Sequence, residues 1–203
     1  MLINKNKIRN LYHLVCNLFF RRNNLFILLI KSRLLKHNKI IIGKGCVIRD
    51  CEFILKSGNV IYVGDSCKLQ GLRIFMNSSG NELFVGKGTI VNADKKQRTL
   101  FNVCGGSKIE IGENCLFSNS IELHTTDYHQ ITKDGEIANV AQPIIIGEHC
   151  WIGLQSLILK GVVLEKDVIV GSRSLVTKSF KESNIIIAGH PAVIKSKGVE
   201  WNH

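Results

Sequence analysis

The 203-residue chain lacks the features typical of disulfide-stabilised, secreted or membrane-spanning proteins. Its seven cysteines are odd in number and contain no C-x-x-C pair, which argues against a disulfide framework and favours a reducing compartment. No apolar run approaches the ~18 residues of a spanning helix, and no small-residue cleavage site follows the N-terminal apolar stretch. We therefore expect a cytoplasmic protein without a spanning helix or a signal peptide.

Acidic residues are missing from the N-terminal part of the chain. Residues 1–39 carry nine Lys or Arg and no Asp or Glu, whereas the rest holds 18 basic and 16 acidic residues. Nine of the eleven net positive charges thus belong to this arm, and no nucleic-acid partner is expected for the folded part. Apolar patches alternate with the basic residues, which predicts amphipathic helices over 1–39. These helices would contact the anionic inner face of the cytoplasmic membrane, cap the end of the folded part, or do both.

A six-residue spacing of apolar residues dominates the C-terminal half. Neither an α-helix, with a period of about 3.6, nor an ordinary strand, with a period of about 2, produces this spacing. A coil of three flat faces does, with one inward residue per face and eighteen residues per turn. The six residues are Ile146, Ile152, Ile158, Leu164, Val170 and Val176.

The repeat has a second feature, a glycine after many of these residues and a small or β-branched residue four positions on. Glycine fits a tight corner, and the small residue fits a narrow interior. Upstream copies place Cys46, Cys67 and Cys115 in the small position, which Cys150 also occupies, so packing explains these four cysteines. Residues 40–181 are therefore predicted to form one parallel β-helix, an all-β solenoid. The 23-residue step from 123 to 146 predicts a loop extruded at about 124–143, and 182–203 is predicted as a C-terminal tail.

Three motifs accompany the repeats. They are Thr126-Asp127-Tyr128-His129, Trp151-Ile152-Gly153, and Gly189-His190-Pro191-Ala192. In this order they resemble the hexapeptide-repeat acetyltransferases, particularly bacterial capsule and lipopolysaccharide O-acetyltransferases of the polysialic acid type. The resemblance covers about residues 40–197. It implies a left-handed β-helix, a homotrimer, and transfer of an acetyl group from acetyl-CoA to a sugar hydroxyl of a surface polysaccharide, without a metal.

The resemblance also implies roles for particular residues. His129 matches the general base that takes the proton of the attacking hydroxyl, and attack on the thioester is direct. Asp127 would orient the imidazole or set its tautomer. The acceptor sugar would contact Trp151, Asn102 and His124, of which His124 is also the competing candidate for the base.

The donor is expected along the final coils. Gly153 and Gly171 would permit close approach of coenzyme A to the backbone, and Lys178 and Lys195 match positions near its phosphates. The chain departs from the family pattern at His190 and Val193, where other residue types are usual.

Three other interpretations stay open. A γ-class carbonic anhydrase would use His124 and His129 with a third histidine from an earlier coil, but no histidine occurs between His37 and His124. A non-catalytic β-helix would serve as a binding scaffold, although it would need none of the three motifs. N-acetylation of an amino sugar nucleotide would use the same chemistry, and the sequence does not identify the acceptor.

Overall fold

The computed structural model describes residues 38–202, which wind into a solenoid of parallel β-strands. The predicted helical arm, 1–39, lies outside the described residues except for its last two, and Lys39 already opens the first strand. In chain order the strands are β1 Lys39–Ile42, β2 Val47–Arg49, β3 Glu52–Leu55, β4 Val60–Val63, β5 Lys68–Gln70, β6 Leu72–Met76, β7 Glu82–Val85, β8 Ile90–Asn92, β9 Thr99–Asn102, β10 Lys108–Ile111, β11 Leu116–Phe117, β12 Glu122–His124, β13 Thr132–Lys133, β14 Glu136–Ile137, β15 Ile144–Ile146, β16 Trp151–Ile152, β17 Leu157–Leu159, β18 Val163–Leu164, β19 Val168–Val170, β20 Leu175–Val176, β21 Ile185–Gly189 and β22 Ala192–Lys197.

Three sheets form the three walls of the solenoid. One contains β1, β4, β7, β10, β15 and β18, and the second contains β2, β5, β8, β11, β16, β19, β21 and β22. The third contains β3, β6, β9, β12, β17 and β20, while β13 and β14 form a separate hairpin. Each successive strand in a wall comes from the next coil, and the pairing is parallel throughout the coils. The predicted all-β parallel solenoid is therefore confirmed.

The length of a coil varies along the stack. Paired residues lie 18 apart between Ile145 and Val163, as the six-residue spacing predicts, but 21 apart between Lys39 and Val60. The step rises to 35 between Leu116 and Trp151, where residues 125–143 leave the coil between β12 and β15. Extra residues thus enter between the strands, and the strands themselves stay in register.

The six spaced apolar residues point inward, and each is at most 1% exposed. The serines four positions after Ile152 and Val170 are also buried, as are the valines in the same position after Ile158 and Leu164. Burying each aliphatic side chain contributes about 1.5–3 kcal/mol. The spaced residues therefore build the core that the sequence predicted.

The inward cysteines and Thr89 have a second function beyond fitting the interior, because they donate hydrogen bonds. Each donates to a backbone carbonyl of the following coil at the same corner, so a carbonyl that no strand partner reaches is satisfied. Burial raises the pKa of Cys67 to about 11, so its thiol is protonated and can donate at neutral pH. The bonds run from Cys46 to Gly64 at 3.0 Å, Cys67 to Gly86 at 3.1 Å, Thr89 to Gly112 at 3.0 Å, Cys115 to Gly147 at 3.1 Å and Cys150 to Glu165 at 3.2 Å.

The corner glycines are required by the next coil. A Cβ on Gly112 would lie 2.5 Å from the backbone nitrogen of Glu148, and one on Gly147 would lie 2.6 Å from that of Lys166. The steric clash with the next coil, and not a left-handed backbone conformation, is what requires these glycines. The left-handed backbone conformation falls two residues later, at non-glycine positions such as Asn114 and His149.

The segment after residue 181, predicted as a tail, continues the second wall. β21 pairs in parallel with β19, and β22 then folds back antiparallel on β21. The hairpin covers a sheet edge that would otherwise expose unpaired backbone groups. Within residues 38–202, no helix has the length and apolar character needed to cross a bilayer.

Replacing Ile158 with Asp should prevent stable folding. The side chain is fully buried in the six-residue register, and an uncompensated buried charge costs about 3–5 kcal/mol, a large part of a domain's stability. Thermal unfolding should show a strongly lowered Tm or no soluble protein. The control is Leu154→Asp at a corner where the side chain is 38% exposed, which should change stability little. Normal melting of the Ile158→Asp protein would show that the inward register is wrong.

Candidate functional site

The Asp-x-His motif lies on the loop that leaves the solenoid between β12 and β15. The loop ends in the hairpin of β13 and β14, whose two turn residues, Asp134 and Gly135, both have positive φ. Glycine and aspartate suit this turn because it requires the left-handed conformation at both positions. At its base, the nitrogen of Gln142 donates to the carbonyl of Thr125 at 3.0 Å. The loop is therefore a defined structure that closes on itself.

His129 presents its side chain to solvent from this loop. Its backbone is fixed on both sides, since its nitrogen donates to the carbonyl of Asp127 at 2.8 Å and its carbonyl accepts from Asn139 Nδ2 at 2.8 Å. Within residues 38–202 of one chain, its imidazole forms no hydrogen bond. Both ring nitrogens are thus available to a ligand.

Asp127 contacts other side chains than the His129 imidazole. Its Oδ2 accepts from Lys160 Nζ at 2.5 Å and from Asn139 Nδ2 at 3.0 Å. The hydrogen bond from Lys160 holds the pKa of this carboxyl below its usual range, and the Asn139 amide adds to the effect. The carboxylate is therefore ionised at neutral pH and bound within the loop. Its predicted role in orienting the ring stays a prediction.

Asn102, His124 and Tyr128 form a hydrogen-bonded cluster beneath the start of the loop. Asn102 is fully buried, and its Nδ2 lies 3.0 Å from His124 Nδ1 and contacts the Tyr128 hydroxyl. His124 Nε2 lies 2.8 Å from a carboxylate oxygen of Glu122, and its ring packs edge-on to that of Tyr128. The Asn102 oxygen accepts from the Cys104 thiol at 3.0 Å. The Asn102 side chain is thus enclosed, with His124, Tyr128 and Cys104 as its partners.

Trp151 opens β16 on the outer face of the second wall and is 38% exposed. Its ring lies 6.0 Å from that of Trp201, which is itself 8% exposed. Trp201 stacks on His149 with ring centroids 4.3 Å apart and donates from Nε1 to the His149 carbonyl at 2.8 Å. The exposed Trp151 indole thus lies beside the Trp201 ring, which is itself held by His149.

The four residues predicted for the donor lie at the last coils. A Cβ on Gly153 would meet the carbonyl oxygen of Val170 at 2.6 Å, and one on Gly171 would meet Ala188 at 2.8 Å, so the fold itself needs these glycines. Lys178 stands 5.7 Å from the Phe180 ring centroid, and Lys195 is exposed on β22. A cleft of about 350 Å³ lies beside Lys178 and is lined by Lys178, Ser179, Phe180, Lys181, Glu182, Val193 and Ile194.

The structure thus groups the predicted residues at separate places. Asn102 and His124 are in contact, Asp127 and His129 share the loop, and Trp151, the glycines and the lysines lie on later coils. No pattern in the sequence pointed to Lys160 or Asn139 as partners of Asp127, or to Trp201 as the neighbour of Trp151. Tyr128 stood inside the quoted motif and could have been found there. Among residues 38–202, no three His, Cys, Asp or Glu side chains are grouped closely enough to hold a metal ion.

Comparison with known proteins identifies the repeat. Residues 143–178 match the family model of the hexapeptide repeat of succinyl-transferase. The chain is 33% identical over 128 residues to the polysialic acid O-acetyltransferase of Neisseria meningitidis, covering 62% of this chain and 57% of that protein. It is 28% identical over 117 residues to the galactoside O-acetyltransferase of Escherichia coli, covering 56% of this chain and 53% of that protein. The alignments thus span little more than half of either curated relative.

A solved structure extends the likeness beyond those alignments. The crystal structure of a polysialic acid O-acetyltransferase superimposes with a TM-score of 0.76 at 32% identity, over 82% of this chain and 77% of that one. The match includes the coils upstream of the family-model segment, so the likeness holds for most of the solenoid. The resemblance drawn from the motifs is confirmed: the chain belongs to the hexapeptide-repeat acetyltransferase family and is similar within it to sugar O-acetyltransferases of the polysialic acid type.

Proposed function

We propose that the protein transfers an acetyl group from acetyl-CoA to a hydroxyl of a bacterial surface polysaccharide, a capsule or lipopolysaccharide, on a left-handed β-helix. The observation that carries the proposal is His129, an exposed imidazole on a braced loop whose ring nitrogens are both available. A hydroxyl is a weak nucleophile near neutral pH, and a positioned histidine supplies the base that it lacks. The relatives' names, polysialic acid and galactoside O-acetyltransferase, support a sugar acceptor.

The hydrogen bonds of the two candidate histidines favour His129 as the base. An amide nitrogen only donates, so His124 Nδ1 accepts from Asn102, and Nε2 then donates to the Glu122 carboxylate. This tautomer has no free lone pair for a substrate proton. His129 has no such partner within residues 38–202 of the chain. We infer that His124 holds the acceptor side of the site in shape while His129 takes the proton.

In the proposed reaction the sugar oxygen attacks the thioester carbonyl as His129 removes its proton. A carbon–oxygen bond forms, the carbon–sulfur bond then breaks, and the imidazolium returns the proton to the departing thiolate of coenzyme A. The negative charge that develops on the carbonyl oxygen requires hydrogen-bond donors, which backbone N–H groups supply in such sites. No covalent acetyl-protein intermediate is required.

The proposed binding sites for the acceptor and for acetyl-CoA use the other predicted residues. Trp151, with the exposed face of its indole, would line the groove for the acceptor, and Asn102 and His124 on the third wall would contact the acceptor as well. Acetyl-CoA would lie along the final coils, with its thioester end past Gly153 and Gly171 and its phosphates near Lys178 and Lys195, at the cleft that Lys178 lines. Two positive charges suit phosphate oxygens.

The proposed assembly is a homotrimer, because one solenoid offers one wall of a groove, and a neighbouring copy would bring the last coils opposite His129. We place the enzyme in the cytoplasm, where acetyl-CoA is available, with residues 1–39 in contact with the anionic inner face of the membrane.

The acceptor can be identified by direct assay. Incubation with labelled acetyl-CoA and a panel of capsule, O-antigen and amino sugar nucleotide acceptors should label a polysaccharide hydroxyl. Alkali-labile label indicates an ester and alkali-stable label an amide, so the assay separates O- from N-acetylation. A protein that binds a polysaccharide without ever transferring label from acetyl-CoA would instead be a binding scaffold.

Replacing His129 with Ala should lower turnover by about 10²–10⁴-fold, because the base is lost. The side chain supports no core, so the free energy of unfolding should change by no more than about 0.5 kcal/mol, and acetyl-CoA affinity should persist. Turnover, Tm and the Kd for acetyl-CoA check the three points.

The control is Gln130→Ala at the exposed neighbouring position, which should stay active. His124→Ala should chiefly raise the KM for the acceptor. Loss of turnover in His124→Ala with a fully active His129→Ala would assign the base to His124.

Activity should depend on assembly into a trimer. Sedimentation over a dilution series should show a trimer, and turnover per chain should fall at the concentrations where the trimer dissociates, because each groove needs two chains. A fully active monomer would overturn this part of the proposal.

Deleting residues 1–36 should weaken binding to anionic vesicles, since each basic residue near such a surface contributes about 1 kcal/mol. Acetyl-CoA binding should be retained, because the coils proposed for the donor lie at the other end of the chain. Vesicle co-sedimentation, with neutral vesicles as the control, measures the change. Unchanged binding to anionic vesicles, together with a lowered Tm, would assign the arm to capping the solenoid.

A further inference from the structure

We propose that Lys160 and Asn139 are positioning residues that hold His129 in its reactive place, with the Asp127 carboxylate as the group on which both converge. Asp127 would then act on His129 through the backbone of the loop and not through the imidazole. The inference rests on the proposed function, in which His129 is the base.

The Asn139 side chain forms hydrogen bonds to three other residues of the loop. Its Oδ1 accepts from the nitrogen of Ile131 at 2.6 Å, and its Nδ2 donates to the His129 carbonyl at 2.8 Å and to Asp127 Oδ2 at 3.0 Å. The amide therefore bridges the outgoing and returning arms of the loop. No other side-chain type of this size offers both the acceptor and the two donors.

Lys160 joins that loop to the rigid solenoid. It follows β17, its side chain is 17% exposed, and its Nζ donates to Asp127 Oδ2 and to the Asn139 carbonyl at 3.0 Å. One ammonium thus contacts both the carboxylate before His129 and the backbone of the amide after it. The low pKa of Asp127 agrees with a carboxylate that keeps this partner at working pH.

These contacts bear on catalysis because His129 has no side-chain partner to orient it within residues 38–202. Its backbone nitrogen and carbonyl are both held by groups of this cluster, Asp127 and Asn139. A base must stand within about 3 Å of the proton that it removes, and small misplacements lower the rate steeply. Without Lys160 the loop would sample positions in which the imidazole is out of reach.

The test compares Lys160→Met with Lys160→Arg and with Lys166→Met, an exposed lysine on the following corner that serves as the matched control. Lys160→Met should lower kcat by about tenfold to a hundredfold, as expected for a misplaced catalytic group. The Kd for acetyl-CoA should not change. Lys160→Arg keeps the positive charge and should retain most of the activity, and Lys166→Met should resemble the unchanged protein. Asn139→Ala should reproduce the effect of Lys160→Met.

A double-mutant cycle separates positioning from general damage. In the His129→Ala background, Lys160→Met should lower the residual turnover no further, because the group that it positions is gone. Hydrogen exchange should show faster exchange of the Ile131 amide in Lys160→Met, with unchanged protection in the coils. In a carboxyl NMR titration, the pKa of Asp127 should return toward its usual value of about 3.9 in Lys160→Met.

The outcomes distinguish the positioning role of Lys160 and Asn139 from the proposed role of His129 as the base. Full activity of Lys160→Met and Asn139→Ala, while His129→Ala is inactive, would overturn the positioning role and leave the proposed base intact. A further loss on adding Lys160→Met to His129→Ala would also overturn it, since Lys160 would then act elsewhere. An active His129→Ala protein would overturn the proposed function itself.

Discussion

The close stacking of one coil on the next is the constraint on which this structure depends. Neighbouring strands in a sheet are about 4.8 Å apart, so at each corner the backbone of one coil runs directly against that of the next. A Cβ on Gly112 or Gly147 would meet that backbone at 2.5–2.6 Å. The same proximity lets the inward thiols of Cys67 and Cys115 reach a carbonyl one coil away. At the corners, packing therefore selects glycine, and the hydrogen bond to the next coil selects a small donor such as cysteine.

Such a solenoid leaves few places for catalytic side chains. The inward positions hold core side chains, and the corner glycines leave no room for a Cβ, so chemistry has to lie on the outer faces or on chain that leaves the coil. The extra residues between Leu116 and Trp151 are of the second kind, and they carry His129, the proposed base. A loop of this length loses conformational entropy when it is ordered, at about 1–2 kcal/mol per residue for the backbone, so it needs its own set of hydrogen bonds. Asn139 and Lys160 supply them.

Much of the fold could be predicted from the sequence because its determinants are periodic and local. Ile146 through Val176 repeat every six residues, and their burial follows from the spacing alone. The contacts of the site are of another kind. Lys160 contacts Asp127 across 33 residues of sequence, and Trp201 contacts His149 across 52. Neither separation follows from the six-residue repeat. The β21–β22 hairpin was missed for a similar reason, since a strand that folds back antiparallel breaks the repeat. The residue types were visible in the sequence, but their neighbours were not.

In the motif Asp127-x-His129, the contacts of the carboxylate in the structure differ from those that the sequence suggests. A carboxylate two residues from a histidine suggests a direct hydrogen bond to the ring. Yet the ammonium of Lys160 and the amide of Asn139 converge on Asp127 Oδ2, and the bond to His129 runs through the Asp127 carbonyl. A carboxylate held by a lysine on the solenoid gives the loop a fixed point, and the backbone transmits that position to the next residue but one. Under the proposed function, the motif spacing is then a requirement of loop geometry, and the imidazole stays available to the acceptor.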